Sequence, residues 1–232
     1  MIRALIVAAV LWFWLPAHAH QPITTAITWN REVTRIFARS CVSCHRAGGS
    51  SFPLGTYAEA RPWAKAIRDQ VLERRMPPWP AARGIGDFKN DRSLPPRVIE
   101  MIVAWAEGGA PEGENSDSPQ RSAAPAAQED SVLDEKTPSL MVRDVAELQP
   151  GWRILAIEPL AREGQSVEVR LIQDGGEREP LLFIPRFDER YRYRYELRVP
   201  AVASKNARVE VLPHGRAKLF IAKGTGSPAG RQ

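Results

Sequence analysis

Apolar residues recur at helical spacing in three stretches of the first half of the chain. The first predicted helix begins near Asn30. The second opens with the capping-box pair Thr56 and Glu59. The third follows Ser93, tolerates two prolines in its first turn and ends at Gly108. The first half of the chain is therefore predicted to be helical.

The second half changes to a period of two, in which apolar and polar residues alternate. Tyr191–Val199 and Val167–Leu171 show this alternation most clearly and predict half-buried strands. A turn is expected at Asp174-Gly175-Gly176. Further strands are predicted near residues 153–159, 180–185, 207–212 and 217–222. This half is predicted to be an all-β domain with one solvated face.

Residues 112–138 separate the two patterns and contain almost no large apolar side chains. Such a segment buries too little apolar surface to offset its ordering entropy, so a disordered linker is predicted. The chain should therefore be multidomain, with a helical domain at 20–111 and a small all-β, sandwich-like domain at 139–224. Residues 225–232 are predicted to be a disordered tail.

The first 19 residues have the pattern of a secretory signal peptide. Arg3 precedes an apolar run over Ala4–Leu15, and Ala17-His18-Ala19 provides a cleavage site. The run is short for a membrane span, so a retained anchor is the less favoured alternative. No later segment is apolar enough to be a membrane helix. We expect the mature protein to start near His20 in the periplasm, with no integral membrane span.

The formal net charge is +5, with basic blocks on either side of the acidic linker. Nucleic acid is not expected as the partner of an exported chain, despite a pI of about 9.5. The basic first domain either steers an acidic redox partner towards it or is an ordinary solvated surface. The sequence leaves both interpretations open.

The only two cysteines, Cys41 and Cys44, are followed directly by His45. This C-x-x-C-H spacing is the attachment motif for c-type haem. Two thiols on one helical turn can each add to a vinyl group, and the histidine is placed to bind the iron through Nε2. The alternative is a redox-active dithiol, but no thioredoxin-like βαβ pattern surrounds the motif. One covalent haem c is therefore predicted.

A sixth iron ligand needs a second donor, and methionine is the better candidate. His20 lies at the mature terminus and His214 lies in the distant β domain. The methionines to choose from are Met76, Met101 and Met141. Met76 precedes two prolines in a segment that cannot be helical, which suits a loop ligand approaching the haem from the far side. The alternative for Met76 is a hydrophobic contact under the loop.

The stretches SCVSCHRAGG, TYAEARPWAKAIRDQVLERRMPPWPA and IVAWAEGGAPEG, within residues 30–113, resemble the class I cytochrome c domain of exported bacterial proteins. The resemblance implies an all-α class I cytochrome c fold with His45 and Met76 as axial ligands. It also implies that Phe37 meets Trp105, and that Pro53 supplies the carbonyl for the imidazole N–H. For Trp79 it leaves three roles open: lining the haem pocket, reaching a haem propionate, or ordinary core packing.

The stretch from Ile154 to Val211 resembles, distantly, the last part of copper type II, ascorbate-dependent monooxygenase-like domains. Where that family has a His-x-His copper pair, this chain has Pro159, Leu160 and Ala161. None of these side chains binds copper. The resemblance therefore implies a degenerate piece of such a domain that lacks its metal site.

These observations predict a periplasmic mono-haem c-type cytochrome that transfers electrons and is not an enzyme. His/Met ligation leaves no open position on the iron for oxygen or peroxide chemistry. One rival is a haem enzyme or gas sensor with an open or labile sixth position. Another is an interaction module in which the β domain is primary and the haem domain regulates it.

Overall fold

The computed structural model describes residues 26–115, 133–134 and 136–223. The predicted signal peptide, His20, most of the predicted linker and the predicted tail lie outside the described residues. Below, residues 26–115 are called the N-terminal part and residues 136–223 the β part. Within these residues, no helix has both the length and the apolar character that crossing a bilayer requires.

Three short helical stretches make up the regular structure of the N-terminal part. Their segments are a π-helical turn Trp29–Val33 leading into α1 (Thr34–Ser40), then α2 (Tyr57–Ala60), a 3₁₀ turn Arg61–Trp63 and α3 (Ala64–Leu72), and finally α4 (Pro96–Glu107). Thr56 and Glu59 form the predicted capping box reciprocally. The three helical stretches lie where the apolar spacing placed them.

The helices pack through a small aromatic cluster. The rings of Phe37 and Trp105 meet edge to face with centroids 6.2 Å apart, which confirms the implied contact between them. Trp29 lies 5.1 Å from Phe37 and 5.9 Å from Trp105. The indole Nε1 of Trp105 donates to the carbonyl of Pro111 at 3.1 Å, which ties the end of α4 to this cluster.

In the β part, residues 136–223, eight strands form two antiparallel four-stranded sheets. They are β1 (Ser139–Arg143), β2 (Val145–Glu147), β3 (Arg153–Leu160), β4 (Val167–Ile172), β5 (Arg178–Ile184), β6 (Tyr195–Val202), β7 (Arg208–Leu212) and β8 (Arg216–Ala222). One sheet has the order β1-β8-β3-β6 and the other β2-β7-β4-β5. Buried side chains of both sheets form a single hydrophobic core.

The strand predicted from the Tyr191–Val199 alternation is displaced along the chain. Glu189–Tyr191 forms a 3₁₀ turn, and the strand begins at Tyr195 and continues to Val202. Asp188 caps that turn by accepting a hydrogen bond from the Arg190 N–H, a local bond that competes with strand pairing.

The segment 76–91, between α3 and α4, is called the arm below. Although it belongs to the N-terminal part, Ala81 and Phe88 are buried in the core of the β part. The arm also pairs with the β part through its backbone: Phe88 forms an antiparallel bridge with Leu197 of β6. Part of the chain between α3 and α4 is therefore buried in the β part and not among the helices.

The predicted fold class is wrong. It was a multidomain chain with an all-α class I cytochrome c domain and a small all-β sandwich-like domain joined by a disordered linker. The described chain is mostly β, with two four-stranded sheets and only three short helical stretches. The physical reason lies in the arm, whose buried Phe88 completes the core of the β part instead of a helical core.

Candidate haem-attachment site

The C-x-x-C-H motif lies where α1 unwinds. The amide of Cys41 still donates to Phe37 at 2.9 Å, as in a helix. The amides of Cys44 and His45 both donate to the carbonyl of Cys41, at 3.1 Å and 2.9 Å. Cys41 and Cys44 are thus brought onto a single tight turn, with His45 one residue further on.

The loop after the motif folds back and fixes the His45 ring. His45 Nδ1 lies 2.9 Å from the carbonyl oxygen of Phe52. A carbonyl cannot donate, so Nδ1 carries the proton and Nε2 keeps its lone pair for a ligand. The implied acceptor, Pro53, is wrong by one residue. The Leu54 amide donates to the carbonyl of His45 at 3.0 Å, and in that register the Phe52 carbonyl meets the ring.

Gly49 makes this return of the loop possible. A Cβ atom at Gly49 would lie 2.5 Å from the carbonyl oxygen of Cys44, which is closer than any side chain tolerates. The neighbouring Gly48 has open space around it and a φ of +70°. The Gly48-Gly49 pair therefore provides a left-handed turn at one residue and a close backbone approach at the next.

Both cysteines are free thiols and both are half-buried. Burial, and to a lesser extent the neighbouring Cys44, raises the pKa of the Cys41 thiol to about 12. Reactive dithiols in redox enzymes have lowered pKa values, because the thiolate is the attacking species. The environment of Cys41 therefore disfavours a redox-active dithiol.

Large aromatic side chains stand exposed beside the motif. The Phe52 ring lies 5.1 Å from the His45 ring and 4.9 Å from the Trp63 ring. Phe52 is 46% exposed and Trp63 is 48% exposed, although each could contribute to a core. Neighbouring exposed aromatic rings usually mark a surface that something else covers. A flat, apolar porphyrin bound beside His45 would match the two thiols and the imidazole, and it would cover these exposed rings.

Met76 lies just after α3, where the chain leaves the helix. Its amide and that of Arg75 both donate to the carbonyl of Gln70, at 3.2 Å and 2.9 Å, and its side chain is half-buried. Met101 is half-buried on α4, whereas Met141 is 49% exposed on β1. The fully exposed His214 lies in the turn between β7 and β8.

Trp79 packs against the β part. Its ring lies 5.0 Å from Tyr195, 5.6 Å from Tyr193 and 6.0 Å from Phe88. Of the three roles left open for Trp79, the observed contacts are those of core packing. Sequence reasoning missed Tyr193 and Tyr195 as neighbours of this segment, because their alternation with arginine indicated only a half-exposed strand.

Among the described residues, no three His, Cys, Asp or Glu side chains are grouped so that they could bind a metal ion. Comparison of the chain with protein-family models, with curated proteins and with solved structures finds no match. The two family resemblances therefore remain predictions, and the site has to be judged on its own geometry.

Proposed function

We propose that this protein is a periplasmic electron carrier with one covalent haem c. One observation carries the proposal. Two free thiols share a tight turn with a histidine whose Nδ1–H is held by a backbone carbonyl, 2.9 Å away, so that Nε2 is left to bind iron. The proposal needs this local arrangement and does not need the class I cytochrome c fold.

Each residue has a definite task in this proposal. Cys41 and Cys44 anchor the porphyrin through thioether bonds to its two vinyl groups. His45 binds the iron, and the Phe52 carbonyl fixes the orientation and tautomer of its ring and makes Nε2 more basic. When bound, haem supplies a one-electron ferric–ferrous couple. The exposed ring of Trp63, beside Phe52, would exclude water from one side of the group.

Met76 is the proposed sixth ligand. It lies outside any helix, on a segment that is held at both ends, by Gln70 of α3 and by the β part. A thioether ligand from Met76 would favour electron transfer over oxygen chemistry, because it would leave no open position on the iron. The proposed partner is a redox protein, and the positive net charge favours one with an acidic docking face.

The attachment is tested on protein produced with haem-maturation machinery. The wild type should give a denatured haemochrome spectrum of the c type, with haem retained on a denaturing gel. The double variant Cys41→Ser/Cys44→Ser should lose all covalent haem, whereas Ser43→Ala, an exposed position between the two cysteines, should keep it. A wild type that binds no haem would refute the proposed function.

The sixth ligand is tested by the weak methionine-to-ferric-iron band at the red end of the spectrum. Met76→Ala should abolish this band and allow carbon monoxide to bind the ferrous protein rapidly. Met141→Ala, on exposed strand surface, should change neither. Rapid carbon monoxide binding by the wild type would instead favour the gas-sensor or enzyme interpretation.

A further inference from the structure

The arm closes two sheet edges that would otherwise be open. β6 is the last strand of one sheet and β5 the last strand of the other. Each such edge presents unpaired backbone N–H and C=O groups, which folded proteins normally pair or cover. Here the covering segment comes from the N-terminal part, and it starts at Met76.

The arm pairs with β6 through its backbone. The Lys89 amide donates to the carbonyl of Glu196 at 2.8 Å, and the Arg198 amide donates to the carbonyl of Asp87 at 2.8 Å. The Asn90 side chain adds two more bonds at this edge. Its amide nitrogen donates to the Arg194 carbonyl at 2.7 Å, and its oxygen accepts from the Glu196 amide at 3.2 Å.

The arm also contacts β5. The amide of Ala82 donates to the carbonyl of Phe183 at 2.7 Å. Gly86, with a φ of +73°, comes so close to β5 that an added Cβ would lie 2.4 Å from the Leu181 carbonyl oxygen. Two residues beyond Gly86, Phe88 is buried with only 4% of its surface exposed. The arm is thus fixed to both sheets by backbone bonds and by apolar burial.

We propose that the β part acts as the positioning device for Met76, holding the arm so that the methionine stays on the iron. This inference rests on the haem ligation proposed above. Met76 is separated by only two prolines from Trp79, whose ring already lies against Tyr193 and Tyr195. A loop ligand must be ordered to bind, and ordering its backbone costs conformational entropy. The sheet edges supply that order before the iron is bound.

This assigns a role to the β part that needs no metal site within it. The helices hold Met76 on one side only, through the bonds of Arg75 and Met76 to Gln70. On the other side, the arm is held by its backbone bonds to β5 and β6 and by two bonds that Arg83 donates, to the Ser93 hydroxyl at 3.1 Å and the Leu94 carbonyl at 2.9 Å. If those contacts are loosened, the methionine should leave the iron more often while His45 and the thioethers remain in place.

The test compares two amide side chains that make equivalent bonds at different places. Asn90 donates to one backbone carbonyl and accepts from one backbone amide. Gln173 does the same elsewhere in the β part: it donates to the Val202 carbonyl at 2.9 Å and accepts from the Ser204 amide at 3.0 Å. Asn90→Ala and Gln173→Ala therefore remove the same kind of bonds, and only the first loosens the arm.

On the full-length, haem-loaded protein, Asn90→Ala should raise the fraction that binds carbon monoxide rapidly on the order of tenfold. It should also weaken the red methionine band and speed amide exchange at Lys89. Gln173→Ala should leave the band unchanged, and Asn90→Asp, which keeps the acceptor, should restore part of it. Equal effects of the two alanine variants on the band would overturn the proposal, and so would an unchanged band in Asn90→Ala.

A second pair of variants tests the proposal even if Asn90→Ala fails to fold. Gly84 and Gly86 both have positive φ, +80° and +73°, so alanine strains the backbone at either position. Only at Gly86 does the added Cβ meet β5, since Gly84 has nothing within 4 Å. Gly86→Ala should therefore weaken the methionine band more than Gly84→Ala does. Equal loss contradicts the proposal, whereas absence of haem from the wild type refutes the proposed function itself.

Discussion

The two parts of the molecule differ in how completely each buries its apolar surface. In the β part, both sheets contribute to one core, and large residues such as Leu182 and Ile184 are fully buried. In the N-terminal part, a small aromatic cluster is buried, but Phe52 and Trp63 stand about half exposed next to His45. The β part therefore has a completely buried core, whereas the N-terminal part leaves one apolar face, at Phe52 and Trp63, exposed.

This difference indicates what each part depends on. A small set of helices rarely buries enough surface to fold alone, and covalently held groups commonly supply what is missing. The proposed haem would cover the exposed rings, and the arm fastens the N-terminal part to the sheets. We therefore expect the β part to be folded with or without haem, and the helices to require it.

The largest effect is expected from Trp105→Ala. Trp105 is fully buried between Phe37 and Trp29, so truncation leaves a cavity and should cost about 3–5 kcal/mol. The helical amides should lose their protection against hydrogen exchange, while the strand amides keep theirs. Leu182, fully buried in β5, is the matching position in the other part. Leu182→Ala should reduce the protection of both the strand amides and the helical amides, because the arm is docked on β5. Loss of strand protection in Trp105→Ala would contradict the comparison.

A smaller effect is expected from Gly49→Ala. Its Cβ would push the loop away from the Cys44 carbonyl, and such overpacking should cost about 1–3 kcal/mol. The displaced loop should also weaken the hydrogen bond between His45 Nδ1 and Phe52, which the imidazole N–H resonance in NMR spectra would report. Gly48→Ala carries backbone strain without a clash, so it controls for strain alone. An unaltered imidazole resonance in Gly49→Ala would show that the close approach is not needed.

The smallest effect is expected from Tyr195→Phe. The Tyr195 hydroxyl is buried without a hydrogen-bond partner among the described residues. Removing a buried, unpaired hydroxyl should leave the free energy of unfolding unchanged or raise it by up to about 1 kcal/mol. Urea denaturation at neutral pH measures this. A loss of more than that amount would indicate a partner for the hydroxyl that the described residues do not include.

Tyr195→Phe also tests how the stability of the protein depends on pH. Burial raises the pKa of Tyr195 above its ordinary value. The folded chain then holds a proton that the unfolded chain releases, so the stability of the wild type should fall as the pH rises above about 10. Tyr195→Phe should show a shallower fall over that range. Identical alkaline slopes in the two proteins would contradict this assignment.

The local features of the fold could be predicted from the sequence, whereas the way in which they pack together could not. The capping box at Thr56, the three helical stretches and the turn at Asp174 depend on short-range patterns, and each was found where predicted. β1 and β2 were missed, because β1 has a single buried residue, Val142, and β2 has only three residues, so neither shows an alternation of apolar and polar positions. The arm was missed because a segment rich in glycine and proline shows no period from which a distant partner can be inferred.

The same distinction applies to the candidate site, where only the local features could be predicted. The attachment motif was evident because Cys41, Cys44 and His45 are close together in sequence, and the structure brings them onto one turn. The acceptor for the His45 ring was placed one residue too far, since the register of the returning loop depends on the Leu54 bond to His45. The contacts of Trp79 with Tyr193 and Tyr195 link residues more than a hundred positions apart, which no local pattern reveals.

The most direct test of the comparison is hydrogen exchange on the full chain with and without covalent haem, the latter as Cys41→Ser/Cys44→Ser. We expect the amides of α1 and α4 to be protected only with haem. We expect the amides of β3 and β8, in the other part, to be protected equally in both proteins. Equal protection of α1 and α4 in the two proteins would contradict this expectation, because the helical part would then have a complete core of its own.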